Sequence, residues 1–225
     1  ALLLALRFCP QFGLGRGLWY AVFHSVSAFC NAGFDLMGVN SPFSSLTDYV
    51  GDPLVSNVIA FLIIIGGVGF LTWNDIREHK LHFRRYRLQS KLILTTTLAL
   101  ILTGLLFFLL YEFEQGQWVD MSLWERINAA FFQSVTPRTA GFNTVDLTGL
   151  SQPAQLLIIL LMLVGGSPGS TAGGFKTTTL AVMLLGIRAV FRHKERPQCF
   201  GRRIADESIR NASAIFLLYL LLFLT

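Results

Sequence analysis

The chain has 225 residues, of which 53% are hydrophobic and 14% are charged. Soluble domains usually carry about 25% charged residues, so this composition argues against a soluble domain and favours a membrane protein. The formal net charge is +5, but six of the 18 Lys and Arg residues lie in residues 74–91 and seven lie in residues 186–210. This distribution argues against a nucleic-acid partner. It follows the positive-inside rule, which predicts that both basic loops are cytoplasmic.

The first part of the chain contains two apolar runs with a short apolar segment between them. Ala1–Leu6 stops at the chain end, whereas Leu54–Trp73 has the length of a crossing helix, about 20 apolar residues. Leu18–Phe29 is too short to span a bilayer at about 1.5 Å per residue. Because both of its flanks are predicted to lie outside, it is interpreted as a re-entrant half-helix. A helix lying on the membrane surface is the alternative.

The second part of the chain repeats this order of segments. Leu92–Tyr111 is uncharged and predicted to cross the membrane, and Leu123–Val135 is a second short apolar segment. Ala154–Phe191 is apolar at both ends and interrupted in the middle. Ser213–Thr225 begins a further run. Because both chain ends lie within apolar sequence, we expect the chain to be part of a longer protein.

An internal repeat of about 100 residues relates the two parts. Each short apolar segment leads into Ser-Val and then Ala-Gly-Phe, at residues 25–26 and 32–34 in the first part and at 134–135 and 140–142 in the second. A proline, an apolar run and a Gly-Gly pair follow in both. Internal duplication of this kind is common in membrane transport proteins.

The Ala-Gly-Phe segments have a composition that suits cation binding. A re-entrant half-helix directs its carbonyl end, which carries partial negative charge, toward the membrane centre. The loop after it can replace an ion's hydration shell with backbone carbonyls. Gly33 and Gly141 have no Cβ and tolerate the backbone angles that turn a carbonyl inward. The pattern therefore predicts two loops of an ion filter.

Residues 165–174 form a loop-like sequence between two apolar segments, with five glycines and one proline. Irregular backbone at membrane depth is tolerated only inside protein or beside a water-filled path, so a broken helix here indicates transport. Lys176 follows this loop. An ionisable residue within a membrane segment is usually functional, and the alternative is a side chain that reaches the cytoplasmic interface.

Three segments, residues 25–35, 133–146 and 165–179, resemble the Trk/Ktr/HKT superfamily of potassium transporters. The resemblance implies an all-α polytopic membrane protein with repeated units of outer helix, re-entrant pore loop and inner helix, as in potassium channels. Residues 1–91 would be the second repeat, entered near the end of its outer helix. Residues 92–205 would be the complete third repeat, and residues 206–225 the truncated start of the fourth.

The same resemblance assigns roles to particular residues. Potassium would be bound by backbone carbonyls of the two filter loops, at Asn31, Ala32, Gly33, Thr139, Ala140 and Gly141. The ion contacts would centre on Asn31, Gly33, Thr139 and Gly141. The gating loop would comprise Gly165, Gly166, Ser167, Pro168, Gly169, Ser170, Thr171, Ala172, Gly173 and Gly174, followed by Lys176.

The implied function is potassium uptake across the plasma or inner membrane through a gated pore, with the potassium ion as cargo and no organic cofactor. The resemblance further implies no enzymatic activity, a homodimer within membrane lipid, and a cytosolic nucleotide-binding regulatory ring of RCK type. The alternative function is a non-conducting half-pore scaffold that docks a regulator.

Three further residues and one glycine cluster have expected roles. Asp35 and Asp146 follow the filter loops and would either concentrate cations at the mouth or be solvated loop acids. Arg138 is expected to point away from the ion, toward an acid such as Glu125 or Asp146. The glycines at residues 66, 67 and 69 are interpreted as sites of close helix packing.

Overall fold

The computed structural model describes residues 1–39, 42, 44–193 and 197–224. Thr225, the last residue of the predicted run Ser213–Thr225, lies outside this range, as do residues 194–196 of the basic loop 186–210. The helices are α1 (Leu2–Phe12), α2 (Leu14–Phe29), α3 (Pro53–Val68), α4 (Phe70–His79), α5 (Leu88–Phe107), α6 (Leu123–Val135), α7 (Gln152–Leu163), α8 (Thr177–Phe191) and α9 (Asp206–Leu224). Strands β1 (Gln198–Cys199) and β2 (Arg202–Arg203) pair antiparallel in the second basic segment.

Helices α1 and α2 pack closely because Gly17 has no side chain. A Cβ at Gly17 would lie 2.5 Å from the Cα of Cys9. Helix α2 begins at Leu14, four residues before the predicted start, because the break between α1 and α2 falls at Gly13 with φ 83°. A positive φ favours glycine, so the chain turns there and α2 starts at once.

The predicted crossing helix Leu54–Trp73 is wrong as a single helix. Helix α3 starts at Asp52, whose carboxylate accepts hydrogen bonds from the N–H groups of Leu54 and Val55, and it ends at Val68. Gly69, with φ 90°, separates it from α4, which is bent by 96° relative to α3. The apolar run continues through the bend, so hydropathy alone did not reveal it.

Helix α4 is tied to the start of α5 through the buried carboxylate of Asp75. Its oxygen Oδ2 accepts hydrogen bonds from the N–H of Arg87 at 3.0 Å and from Ser90 Oγ at 2.6 Å. The guanidinium of Arg87 lies 3.4 Å from Oδ1. Because hydrogen bonds to a charged group are stronger than neutral ones, this contact fixes where the chain turns back into the apolar region.

Helix α5 continues through a π-helical turn, Phe108–Glu112. Together they form an apolar helix of 25 residues, Leu88–Glu112, with a mean hydropathy of 2.4. Among the described residues this is the helix with both the length and the hydropathy of a single membrane span. The bent pair α3 and α4 passes the same test when taken together.

Helix α6 has the predicted bounds because its start is fixed by a capping box. Ser122 Oγ accepts from the N–H of Glu125, and the Glu125 carboxylate accepts from the N–H of Ser122. One face of α6 packs on α5 and another on α3. Two apolar cores result, one built on α1, α2 and α3 and the other on α5, α6 and α7. Residues Met37, Ala140 and Phe142, from the segments that follow α2 and α6, belong to the first of these cores.

Candidate ion pathway

Two half-helices end at loops with matching backbone geometry. Helix α2 ends at Phe29 and is followed by Asn31 (φ 50°) and Gly33 (φ 74°). Helix α6 ends at Val135 and is followed by Thr139 (φ 67°) and Gly141 (φ 87°). The positive φ values fall at equivalent positions of the repeat. For a β-branched residue such as Thr139 this conformation is an outlier, and such strain clusters at functional sites.

The two loops meet at the predicted filter glycines. A Cβ at Gly33 would lie 2.4 Å from the carbonyl oxygen of Ala140 and 3.0 Å from the Cα of Gly141. A Cβ at Gly141 would lie 3.3 Å from the Cα of Gly33. The structure therefore brings the backbones of both loops into contact, although Gly33 and Gly141 are 108 residues apart in the sequence.

The carbonyl oxygens at the meeting point have no hydrogen-bond donor. Within the described part of the chain, none of the recorded hydrogen bonds ends on a carbonyl of residues 31–33 or 139–141. The next carbonyls are paired: Ser27 Oγ donates to Phe34 O at 2.7 Å, and Thr136 Oγ1 donates to Phe142 O at 2.5 Å. Each loop is thus held at its far end, while its middle carbonyls remain available to a ligand.

Ser27 and Thr136 were missed as site residues. Their signal was present, because each follows the Ser-Val pair of its repeat, giving Ser-Val-Ser and Ser-Val-Thr. His24 was missed as well. It is fully buried, its Nδ1 donates to Tyr20 O at 2.7 Å, and its Nε2 accepts from the N–H of Leu36 at 3.2 Å. His24 therefore connects α2 to Leu36, just beyond the filter loop that follows α2.

Two cavities adjoin the loops. One of about 340 Å³ is lined by Ala32, Thr139, Ala140 and Gly141, together with residues of α6 and α7. The other, of about 350 Å³, is lined by Asp35, Gly38, Ser44, Ser45, Gly141 and Asn143.

The acids that follow the two filter loops have different surroundings. Asp35 lines the second cavity, next to Gly141. Asp35 also accepts a hydrogen bond from the N–H of Met37 at 3.0 Å. The exposed Asp146 accepts hydrogen bonds from the N–H and Oγ1 of Thr148. These bonds lower the pKa of Asp146 below its usual value.

Residues 165–174 form a closed loop between α7 and α8. Val164 and Phe175 pair as neighbouring strands, the N–H of Gly165 donates to Phe175 O at 2.9 Å, and that of Gly166 donates to Gly173 O at 3.3 Å. A Cβ at Gly165 would lie 1.9 Å from Gly173 O. Only glycine fits so close an approach of two backbones, so the loop depends on this composition.

The closed loop is docked on the end of α3. The N–H and Oγ of Ser167 donate to Gly67 O at 3.0 and 2.9 Å, and Oγ also donates to Val68 O. Thr171 donates through its N–H to Gly66 O at 3.3 Å and through Oγ1 to Phe29 O at 2.7 Å. These donors satisfy carbonyls freed where α3 breaks and where α2 ends.

The glycines of α3 therefore have two roles. Gly66 packs against the end of α2, where a Cβ would lie 1.9 Å from Phe29 O. Gly69 ends the helix and lies against the loop, since its Cβ would be 2.8 Å from Ser167 Oγ. Close packing was expected at these positions, whereas their contact with the loop was not.

Two cations lie against the loop backbone. Lys176 Nζ donates to Ala172 O at 2.8 Å and lies 3.5 Å from Gly173 O, so the side chain folds back on its own loop. Arg138 is 7% exposed, and its Nη2 lies 3.5 Å from both Thr97 Oγ1 and Gly165 O. The expected pairing of Arg138 with Glu125 or Asp146 is wrong, because the guanidinium points toward α5 and the closed loop.

Half-helices that end at unpaired peptide oxygens, within a framework of apolar helices, define an all-α membrane protein built from repeated pore-loop units. The chain belongs to the TrkH family, whose family model is described as "Cation transport protein" and matches residues 11–225. This is a family of ion transporters and not of enzymes.

Curated relatives cover almost the whole chain. The chain is 41% identical to the Potassium/sodium uptake protein NtpJ of Enterococcus hirae and 39% identical to the Ktr system potassium uptake protein B of Bacillus subtilis. Each match covers 96% of this chain and 47% of the relative. The chain therefore spans about half the length of the curated relatives it matches.

A solved structure shows the same fold. The potassium transporter TrkH from Vibrio parahaemolyticus superposes with a TM-score of 0.74 and 20% sequence identity, over 99% of this chain and 47% of that one.

Proposed function

We propose that the complete protein takes up potassium ions across the plasma or inner membrane through a gated pore, to which this chain contributes two filter loops. The observation that carries this proposal is the contact between the backbones of Gly33 and Gly141 beside carbonyls that lack a donor. Carbonyl rings of this kind replace the hydration shell of potassium. The printed names of the relatives, which include potassium uptake, support it further.

Potassium is coordinated by the carbonyls of residues 31–33 and 139–141, with the ion contacts centred on Asn31, Gly33, Thr139 and Gly141. The partial negative charge at the carbonyl ends of α2 and α6 favours a cation at this place. The matching positive φ values of both loops support equivalent roles in one filter. The remaining filter carbonyls come from the part of the protein beyond this chain.

Residues 165–174 act as the gate below the filter. Support comes from the docking of this loop on α3 through Ser167 and from the contact of Thr171 with the end of α2, which join irregular backbone of one repeat to the other. Lys176 holds the loop through Ala172 O. Displacement of the loop opens the path.

The repeats divide the chain at residues 1–91, 92–205 and 206–225, as the second repeat, the third repeat and the start of the fourth. The basic segments 74–91 and 186–210 face the cytoplasm, in accordance with the positive-inside rule. A homodimer in membrane lipid is controlled there by a cytosolic nucleotide-binding ring of RCK type. The printed name of one relative, "Ktr system potassium uptake protein B", denotes one component of a system.

The test is a flux assay on the full-length protein in liposomes, with potassium and sodium compared. We expect potassium uptake to exceed sodium uptake, and we expect Gly141→Ser to reduce this preference because Gly141 has φ 87° and contacts Gly33. Unchanged selectivity in Gly141→Ser would contradict the filter assignment. A full-length protein without flux would favour the non-conducting scaffold.

A further inference from the structure

Arg138 is a buried cation without an acidic partner in the described part of the chain. Its Nη2 has two long contacts of 3.5 Å, to Thr97 Oγ1 on α5 and to Gly165 O at the start of the gating loop. Its Nε has no partner. Because an unpaired buried charge is strongly unfavourable, the stabilisation that the described residues supply must come from groups other than a carboxylate.

The ends of two helices supply that stabilisation. Helix α6 ends at Val135, whose carbonyl accepts from the N–H of Arg138 at 3.3 Å. Helix α7 ends at Leu163, two residues before Gly165. The carbonyl end of a helix carries about half a negative charge. The backbone of Arg138 adjoins the end of α6, and its guanidinium approaches the segment just after the end of α7. Its position is favourable only while both helix ends are in place.

Arg138 also lies where the filter and the gate meet. It precedes Thr139, a filter residue with a positive φ, and its side chain reaches the first residues of the gating loop. A cavity of about 10 Å³ is bounded by Arg138, Gly166, Gly67 and Asn31, which belong to the loop after α6, the gating loop, α3 and the loop after α2. Arg138 thus borders a cavity that also adjoins the gating loop, α3 and the loop after α2.

We propose that Arg138 is a positioning residue that couples occupancy of the filter to the position of the gating loop. This inference rests on the proposed filter and gate. A potassium ion bound at the carbonyls of Thr139 and its neighbours repels the adjacent guanidinium. The displaced guanidinium loses its contact with Gly165 O, and the loop is released. Potassium in the filter therefore loosens the gate through Arg138.

The experiment measures how exposed the gating loop is with and without potassium. All native cysteines of the full-length protein, Cys9, Cys30 and Cys199 included, are replaced, and Gly173→Cys is introduced as a reporter. Gly173 is suitable because its φ is not positive and a Cβ there would meet nothing within 4 Å. The rate of maleimide modification is compared in potassium chloride and in choline chloride at equal ionic strength.

We expect modification to be about fivefold faster in potassium in the reporter protein. Arg138→Met should bring the ratio of the two rates to about one, because the side chain has similar length without the charge. Arg138→Lys should retain a smaller ratio, since an ammonium group keeps the charge but not the planar set of donors.

The matched control is Arg126→Met, which removes an arginine within α6. Arg126 binds the carbonyls of Met121, Phe113 and Val119, away from the gating loop, so the reporter ratio should persist. If Arg138→Met retains the full ratio, or if the reporter protein shows no dependence on potassium, the coupling role is overturned. Potassium flux by the parent protein is measured separately, so failure of the coupling is distinct from failure of the pore.

A second variant covers the case in which Arg138→Met does not fold. Thr97→Val keeps the shape of the side chain and removes one of the two oxygens that Nη2 contacts. Its ratio should fall below that of the reporter protein. An unchanged ratio in Thr97→Val would then overturn the proposal.

Discussion

The two filter glycines occupy unequal surroundings, although they hold equivalent positions in the repeat. Gly33 faces the carbonyl oxygen of Ala140, which a Cβ would approach to 2.4 Å, whereas Gly141 faces only the Cα of Gly33 at 3.3 Å. The first distance is a backbone overlap that nothing flexible can relieve, and the second needs a shift of a few tenths of an ångström. Both residues have positive φ, so any side chain adds strain.

Gly33→Ala should therefore impair the filter more than Gly141→Ala. We expect Gly33→Ala to lower the ratio of potassium to sodium flux by about tenfold or more, since 1.4 kcal/mol of strain corresponds to a factor of ten. Gly141→Ala should have a smaller effect. The measurement is the flux ratio in liposomes that contain the full-length protein.

Gly15→Ala is the control for this pair, because Gly15 lies on α2, lacks a positive φ and has no atom within 4 Å of an added Cβ. Its flux ratio should equal that of the parent. An equal loss in Gly33→Ala and Gly141→Ala would show that the contact geometry does not determine selectivity.

At the scale of elements, the inner helices of the two repeats are broken in complementary ways. Helix α3 breaks at the single residue Gly69, which leaves carbonyls of residues 66–68 without helical partners. The interruption between α7 and α8 is long and carries hydroxyl and N–H donors, which bind those carbonyls. The break in α3 leaves free acceptors and the interruption between α7 and α8 supplies donors, so hydrogen bonds join the two repeats where their inner helices are broken.

Ser167→Ala should weaken this joint. The hydroxyl is fully buried and bonds to Gly67 O and Val68 O, so its loss leaves a buried acceptor unpaired at a cost of about 1–3 kcal/mol. We expect higher potassium flux in the absence of the regulatory ring, because the docked position of the loop becomes less stable. The measurement is basal flux of the full-length protein in liposomes.

Ser170→Ala serves as the comparison. Its hydroxyl bonds to Ser167 O within the same loop and not to α3, so basal flux should rise less. A rise as large as that of Ser167→Ala would show that loop stiffness, and not docking on α3, controls the gate.

At the scale of the whole molecule, the acids near the filter are not interchangeable. Asp35 lines the cavity that Gly141 also lines, so its carboxylate is placed to act on a cation that approaches the proposed filter. Asp146 is bound to Thr148, and its lowered pKa keeps it charged, but it lines neither of the cavities next to Gly141. A fixed negative charge in such a cavity raises the local concentration of cations.

Asp35→Asn should raise the potassium concentration needed for half-maximal uptake by about twofold to threefold at low ionic strength. The effect should shrink at high ionic strength, because salt screens a charge that borders an open cavity. The measurement is the dependence of uptake on potassium concentration at two ionic strengths. Asp146→Asn should leave this concentration unchanged, and an equal effect of both variants would contradict a specific role for Asp35.

The sequence was informative where local signals determine structure. Helix α6 has the predicted bounds because Ser122 and Glu125 form its cap. Composition and apolar lengths indicated a membrane protein, and the resemblance of three segments to a transporter superfamily implied the class of fold. The bend at Gly69 was not predictable from hydropathy, since apolar residues lie on both sides of it. It depends on contacts with a loop about 100 residues further along the chain.

The direction of the Arg138 side chain was missed for a related reason. The expected partners of Arg138 were carboxylates, and Glu125 and Asp146 are the nearest acids in the sequence. Arg138 instead lies near the ends of α6 and α7. The partial negative charge there comes from backbone carbonyls, so no particular residue type marks it in the sequence. Partners of this kind become visible only once the helices have been positioned.

The joint between the gating loop and α3 also determines what must accompany its release. When the loop leaves, the carbonyls of Gly66, Gly67 and Val68 lose the donors that Ser167 and Thr171 provide. Lipid offers no replacement, and leaving these groups bare would be prohibitive. If residues 165–174 act as the proposed gate, water molecules must take over those bonds when the gate opens, so opening would wet this level of the protein and closing would dry it.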